Sequence, residues 1–294
     1  MILLYISDRR IKLYQKLFLL ALKNLVIDLY NVMGEGIVIG TVWKTARETF
    51  ESISPEEEPY EIWNYLSDMS LYSKARNYLL KAPSCRYEIT ENGKRFYDCE
   101  FRGEKAAMPA FCQWHKGSVE GLFRKNVELD NDMIKGGDYC EFRIKGIKPI
   151  GKKGRLSRGA RYLLTRALYL APLLGLIKYM KKEFRDYDKY LRKAFLEAGR
   201  EFASELKIKS PENGIREFMK VIGVAGIKGN ALIWGDIYNY LGEKLELEDR
   251  EETLSMMLSY LLEGFAGHYG KKASGISVRR KDGKILVSGG EMLG

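Results

Sequence analysis

Apolar residues recur at helical spacing through the first fifty positions. The run LYQKLFLLALKNLVIDLYNVMGEGIVIGTVWKTARETF, residues 13–50, keeps this period and is interrupted by Gly34, Gly36 and Gly40. A second helix is expected over 54–79, where Ser54, Pro55 and three glutamates form a start signal. The period then shortens. SCRYEI and KRFYDCEF flank the turn Glu91-Asn92-Gly93-Lys94 and read as a hairpin. A three-residue loop puts Cys85, Tyr87, Ile89, Tyr97, Cys99 and Phe101 on one face. A two-residue loop puts Asp98 and Glu100 there instead, so the three-residue loop is expected. Next comes a helical segment opened by Cys112 and spaced by Gly117 and Gly121. A strand follows, with Cys140, Phe142 and Ile144 on one face and Glu141 and Arg143 on the other.

The second half repeats this order. Residues 190–208 are helical with Gly199 inside. SPENGIREFMKVIGV, 210–224, starts with Ser-Pro-Glu as 54–79 does. SYLLEGFAGHYGKK, 259–272, echoes CQWHKGSVEGLFRK, 112–125. A closing hairpin turns at Asp282-Gly283 and puts Ile276, Val278, Ile285 and Val287 on one face. The expected fold is therefore α+β: two tandem copies of an α/β domain with helices on an antiparallel sheet, a pseudo-dimer in one chain. The expected boundaries are a first domain over 1–145, a basic linker and connecting helix over 146–186, and a second copy over 187–294. All four cysteines, Cys85, Cys99, Cys112 and Cys140, fall in the first copy.

Composition narrows the class. A content of 46% hydrophobic and 30% charged residues belongs to a chain that buries a core. The net charge of +10 permits an anionic partner, yet much of it is local. Residues 143–161 hold eight bases and no acid. The 19 tyrosines lie at core spacing and are not interleaved with bases, so nucleic acid is not the expected partner. The apolar runs 17–30 and 162–180 are broken by charges and by Pro172, so neither supplies the roughly 20 apolar residues of a membrane span. MILLYISDRR lacks the apolar core of a secretory signal, and a cytoplasmic location with reduced or metal-bound thiols is expected. Only two glutamines against many Lys, Arg and Glu suit a thermophile. No GxGxxG after a strand, phosphate-binding lysine loop, HExxH or CxxC is present, and the two histidines leave few acid–base candidates.

Cys112 and Cys140 have a further use. A helix start and a strand can converge, so two separated thiolates can share one metal or one pocket. The pattern Cys-x4-Gly-x3-Gly, then a strand, then Gly-Asp, Cys, x, Phe resembles the 4-vinyl reductase domain. It covers about 13–144 and, more weakly, 187–290. That family is similar in fold to haem–nitric-oxide-binding domains and to TRAPP tethering subunits; its domains serve as small-molecule sensors and occur alone in archaea. The resemblance implies a zinc site in the first copy. Cys112 matches the first ligand and Cys140 the last. Glu128 lies one position from the expected Glu, and Asp132 stands where a Cys is expected. His115, three residues after Cys112, is either a further ligand, a contact for a bound molecule beside Trp114, or a half-buried surface histidine. The resemblance also implies an apolar cavity, with Trp43, Trp63, Tyr87, Trp114 and Phe142 as candidate wall residues. Two functional readings follow. One is a non-catalytic module that binds or senses a small apolar molecule. The other is an interaction or scaffold protein of the TRAPP type, with a protein partner or a second copy. An enzyme, and a nucleic-acid binder acting through 143–161, are the less expected readings.

Overall fold

The computed structural model describes residues 8–53, 58–69, 86–99, 107–147, 156–225, 230–232, 234–273, 275–282, 284–289 and 292–293. The fold is α+β. In chain order, α1 (Asp8–Met33) and α2 (Glu35–Ile53) are separated at Gly34, whose φ of +79° ends the first helix. Gly36 and Gly40 stay inside α2. The second expected helix is α3 (Pro59–Met69); its Ser54–Pro55 start and everything from 70 to 85, Cys85 included, lie outside the described residues. There follow β1 (Tyr87–Thr90), β2 (Gly93–Phe96), α4 (Met108–Phe123), β3 (Val127–Asn131) and β4 (Cys140–Ile144). The first sheet is antiparallel in the order β1-β2-β4-β3.

The hairpin register corrects the sequence reading. Thr90 pairs with Gly93 and Tyr87 with Phe96, so the loop has two residues, Glu91 and Asn92. Gly93 is the first residue of a strand and not a turn glycine. It faces Arg143, and a Cβ there would lie 1.8 Å from the Phe142 carbonyl oxygen. The close approach of β4 selects glycine, which leaves two loop residues and moves the whole face by one position. Tyr87, Ile89, Lys94 and Phe96 therefore share a face.

Elements α5 (Arg158–Ala167) and α6 (Leu170–Glu183) occupy much of the expected linker. Ser157 caps α5 by accepting from the Ala160 amide. Then come α7 (Tyr187–Leu206), α8 (Pro211–Val221), β5 (Val224–Ala225), β6 (Asn230–Leu232), α9 (Gly235–Lys244) and α10 (Arg250–His268). Ser210 and Pro211 start α8 as the sequence suggested, the serine accepting from the Asn213 amide. Short strands β7 (Lys272–Ala273) and β10 (Met292–Leu293) pair with one another. The long hairpin β8 (Ile276–Lys281) and β9 (Lys284–Gly289) turns at Asp282, whose φ is +50°. Its sheet has the order β5-β6-β9-β8. The two four-stranded sheets thus share one topology.

Contacts divide the chain into two units, Leu29–Leu176 and Met1–Asp28 with Ile177–Gly294. This differs from the boundaries at 145 and 186. Residues up to Asp28 of α1 belong with the second sheet, and α5 with the start of α6 belongs with the first. The periodicity of α1 requires a buried stripe but does not name the partner. In the unit of the second sheet, Tyr14 and Phe18 meet Trp234 edge-on at 5.5 and 5.7 Å. Lys16 pairs with Glu205, Lys23 with Glu201, and Asp28 with Lys193. In the unit of the first sheet, Tyr65 of α3 bonds Thr165 of α5, and Gly175 of α6 sits against Thr49 of α2.

Each unit has a helix pair locked by glycine. On α4, a Cβ at Gly117 would meet the Trp43 carbonyl oxygen at 2.3 Å, and one at Gly121 the Arg47 oxygen at 2.2 Å. On α10, a Cβ at Gly264 would meet the Leu196 oxygen at 2.1 Å. The helices touch backbone to backbone, which only glycine permits. No single described helix is long and apolar enough to cross a membrane.

Candidate functional site

The unit Leu29–Leu176 is hollow between α4 and the inner face of its sheet. The cavity measures about 90 Å³. Its α4 wall follows from helical spacing: Cys112, His115, Val119 and Leu122 recur at three and four residues, with Trp114 and Ser118 beside them. Its sheet wall follows from alternation: Phe96 on β2, Leu129 on β3, Cys140 and Phe142 on β4. Trp63, Leu66 and Ser67 of α3 close one side, and Phe50 and Leu168 contribute from α2 and from the end of α5.

Three of the expected wall residues, Trp63, Trp114 and Phe142, are brought together, with His115 among them. The His115 ring lies 4.6 Å from Trp114 and 6.4 Å from Phe142. Trp63 and Phe142 meet edge-on at 6.5 Å, and Phe96 meets Phe142 at 5.6 Å. Trp43 and Tyr87 are not wall residues. Trp43 donates from its indole to Glu120 at 2.6 Å and carries the backbone that Gly117 touches. The other Glu120 oxygen accepts from the Val127 amide, so this buried carboxylate joins α2, α4 and the start of β3. Tyr87 packs on Phe96 and Lys94, outside the cavity.

Cys112 and Cys140 both line the cavity, and Cys99 lines it with them. All three are buried. Of the expected zinc set, Glu128 is not beside them. Glu128 alternates with the cavity residue Leu129 and therefore points to the other face of the sheet. There it is half exposed and pairs with Lys145 at 3.0 Å and Arg143 at 3.9 Å. The Lys145 hydrogen bond, then its charge, hold the Glu128 carboxyl below the usual carboxylate range. Asp132 falls in a short 3₁₀ turn, and its side chain lies outside the described residues. Among the described residues no three His, Cys, Asp or Glu side chains are grouped to hold a metal. Asp98 lines the cavity, but Arg86 grips its oxygens from the backbone amide and from two guanidinium nitrogens at 3.0–3.2 Å.

Lys94 escaped the sequence reading. It is fully buried on the inner face of β2, beside the cavity wall. Its ammonium donates to Ser67 Oγ at 2.9 Å and sits over the rings of Tyr87 at 4.4 Å, Trp63 at 4.6 Å and Tyr60 at 5.9 Å. An ammonium inside a box of ring faces is held electrostatically where water does not reach. With the two-residue loop, the sequence places this lysine between Tyr87, Ile89 and Phe96, an inward position that signals a built environment. On the outer face the charges are matched: Arg95 pairs with Glu88 and Glu141, and Arg143 with Glu141 and Glu128.

The other unit follows the same plan without the same wall. Superposing Gly264 on Gly117 along the chain puts Ser259 at Cys112, Leu261 at Trp114, Leu262 at His115 and Phe265 at Ser118. Leu261, Leu262 and Phe265 are fully buried. Phe265 packs against Phe218 at 5.1 Å and Tyr269 at 5.7 Å. Ser259 bonds both the amide and the carbonyl of Ile276, fixing α10 to β8. The chain matches no protein-family model, no curated protein and no solved structure.

Proposed function

We propose that the unit Leu29–Leu176 binds a small, mainly apolar molecule in the cavity between α4 and the sheet, and that the chain is a binding or sensing module. The carrying observation is the contrast between the units. One plan occurs twice, and at one position of the cavity wall the units differ in bulk: Ser118 lines the cavity in one, and the fully buried Phe265 stands there in the other. A phenyl ring stands at Phe265, where the hollow unit has the hydroxymethyl of Ser118. A space left open in a protein interior costs contact energy, so an occupant offsets a cost the fold otherwise bears. The wall suits an aromatic or alicyclic guest: ring edges from Trp63, Trp114 and Phe142, soft sulfur from the cysteines, and His115 as a polar group that orients the guest. Binding of this kind needs no catalytic group.

Ser118→Phe tests the reading by copying the filled unit into the hollow one. Naphthalene is the probe, followed by its fluorescence and by the thermal unfolding of the whole chain. The wild type is expected to bind it and to unfold at a higher temperature in its presence. The Ser118→Phe variant is expected to fold and to lose both effects. Undiminished naphthalene binding by the variant would refute the assignment, as would a wild type that never binds it.

A further inference from the structure

The tip of the β8–β9 hairpin carries charge without counter-charge: Arg279, Lys281 and Lys284 lie on the face away from the core, and Arg280 shares its side with Ile285. Arg279, Arg280 and Lys281 on β8 and Lys284 on β9 are all exposed, and among the described residues none has an ion-pair partner. Lys281 and Lys284 are direct cross-strand partners, an arrangement that destabilises a hairpin on its own. Asp282 in the turn is the one acid of this tip. The first sheet is an internal control: it has the same strand order, yet each outer cation named above meets a carboxylate. Repulsion retained on one copy of a face and matched on the other fits an anionic partner that supplies the missing charge.

The shape of the tip narrows the partner. Among the described residues β9 pairs with β6 as far as Leu286, and from Arg280 to Ile285 the strand pairing is of β8 with β9, a two-stranded ribbon. A two-stranded ribbon fits the major groove of a B-form duplex, about 12 Å wide. Residues two apart on a strand lie about 6.8 Å from each other, near two rises of 3.4 Å along a DNA strand. Single strands are held by stacking on aromatic rings, and from Ile276 to Gly289 there are none. The groove of an RNA duplex is too deep and narrow for such a ribbon. A membrane surface calls for exposed apolar anchors beside the bases, whereas Ile285 at the tip is buried. We infer that the β8–β9 ribbon is a site for double-stranded DNA, held through its phosphates by Arg279, Arg280, Lys281 and Lys284.

The test uses the full chain and a fluorescent 20-base-pair duplex, with anisotropy read across a salt series. Four phosphate contacts give a slope of about −3.6 in log affinity against log salt, hence a loss of roughly 100-fold between 50 and 200 mM. A variant with R279Q, R280Q, K281Q and K284Q is expected to fold, as judged by circular dichroism, and to lose most of that slope. A control with K44Q, R124Q, K145Q and K182Q removes four other exposed cations and leaves the same net charge, +10 less four, or +6. It is expected to bind like the wild type. Equal loss in both variants would reduce the effect to bulk charge and overturn the site. So would preferential binding of an anionic vesicle, a single strand or an RNA duplex of the same length.

Discussion

At the scale of single residues, glycine spacing was legible and its purpose was not. Gly117, Gly121 and Gly264 show in the sequence as a stripe on a helix, but the stripe cannot say which backbone approaches. Each faces a carbonyl oxygen of a neighbouring helix at 2.1–2.3 Å from where a Cβ would stand. Gly117→Ala and Gly264→Ala are each expected to cost about 1–3 kcal/mol, because two helices must part to admit one methyl group. Gly40 looks the same in the sequence, yet nothing lies within 4 Å of its Cβ position inside α2. Gly40→Ala is expected to stabilise by about 0.5–1 kcal/mol, since alanine gives up less backbone freedom in a helix. Urea unfolding of the three variants checks the opposite signs. Tyr260 offers a pH handle. Burial, then its hydrogen bond to Asp188, push its hydroxyl up to about 12, against an unfolded value near 10. The folded state then holds the proton that the unfolded chain releases. This share of stability is complete below pH 10 and is lost as pH rises from 10 through 12. Tyr260→Phe is expected to flatten that part of the stability–pH curve, with no change at neutral pH beyond the lost hydrogen bond.

At the scale of elements, the hairpins show what alternation can and cannot fix. The β8–β9 hairpin obeyed its Asp-Gly turn and buried Ile276, Ile285 and Val287 as read. The β1–β2 hairpin did not, because Gly93 served the neighbouring strand and not the turn. That neighbour, β4, lies 47 residues further on and leaves no local trace. One position of register decided that Asp98 and Lys94 turn inward. The helices carry the same lesson, since an amphipathic stripe predicts burial and is silent about the partner. The stripe of α1, with Tyr14 and Phe18, lies on Trp234, more than 200 residues away in the chain. Phe18→Ala is therefore expected to cost about 3–5 kcal/mol in the unit of the second sheet. Hydrogen exchange is expected to quicken in α7 and α9 and to stay unchanged in α4 and β4. Faster exchange confined to α4 and β4 would contradict the partition.

At the scale of the whole molecule, each sheet takes helices from the other half of the sequence. A cut after residue 150 separates the chain into pieces that match the sequence repeat but not the compact units. The piece 1–150 would carry α1 without Trp234 and Glu205, leaving Tyr14 and Phe18 without the ring they pack on and Lys16 without its partner. A fully buried side chain such as Phe18 is worth about 1.5–3 kcal/mol. The same piece would lack α5 and the start of α6, which close its own unit over Tyr65 and Thr49 and supply the cavity residue Leu168. The piece 151–294 would lack α1 and with it the ion pairs to Glu201, Glu205 and Lys193. A marginally stable domain does not survive losses of this size. Neither piece is expected to show a cooperative unfolding transition by itself. Co-expressed, the two pieces are expected to co-purify at one to one and to regain the near-ultraviolet dichroism of the intact chain, because every contact within each unit is then available again. Naphthalene binding should return only in that pair, since the wall of the cavity runs from Phe50 to Leu168 across the cut. A fragment 1–150 that unfolds cooperatively at the temperature of the intact protein would show that the repeat, and not the exchange of helices, defines the folding unit.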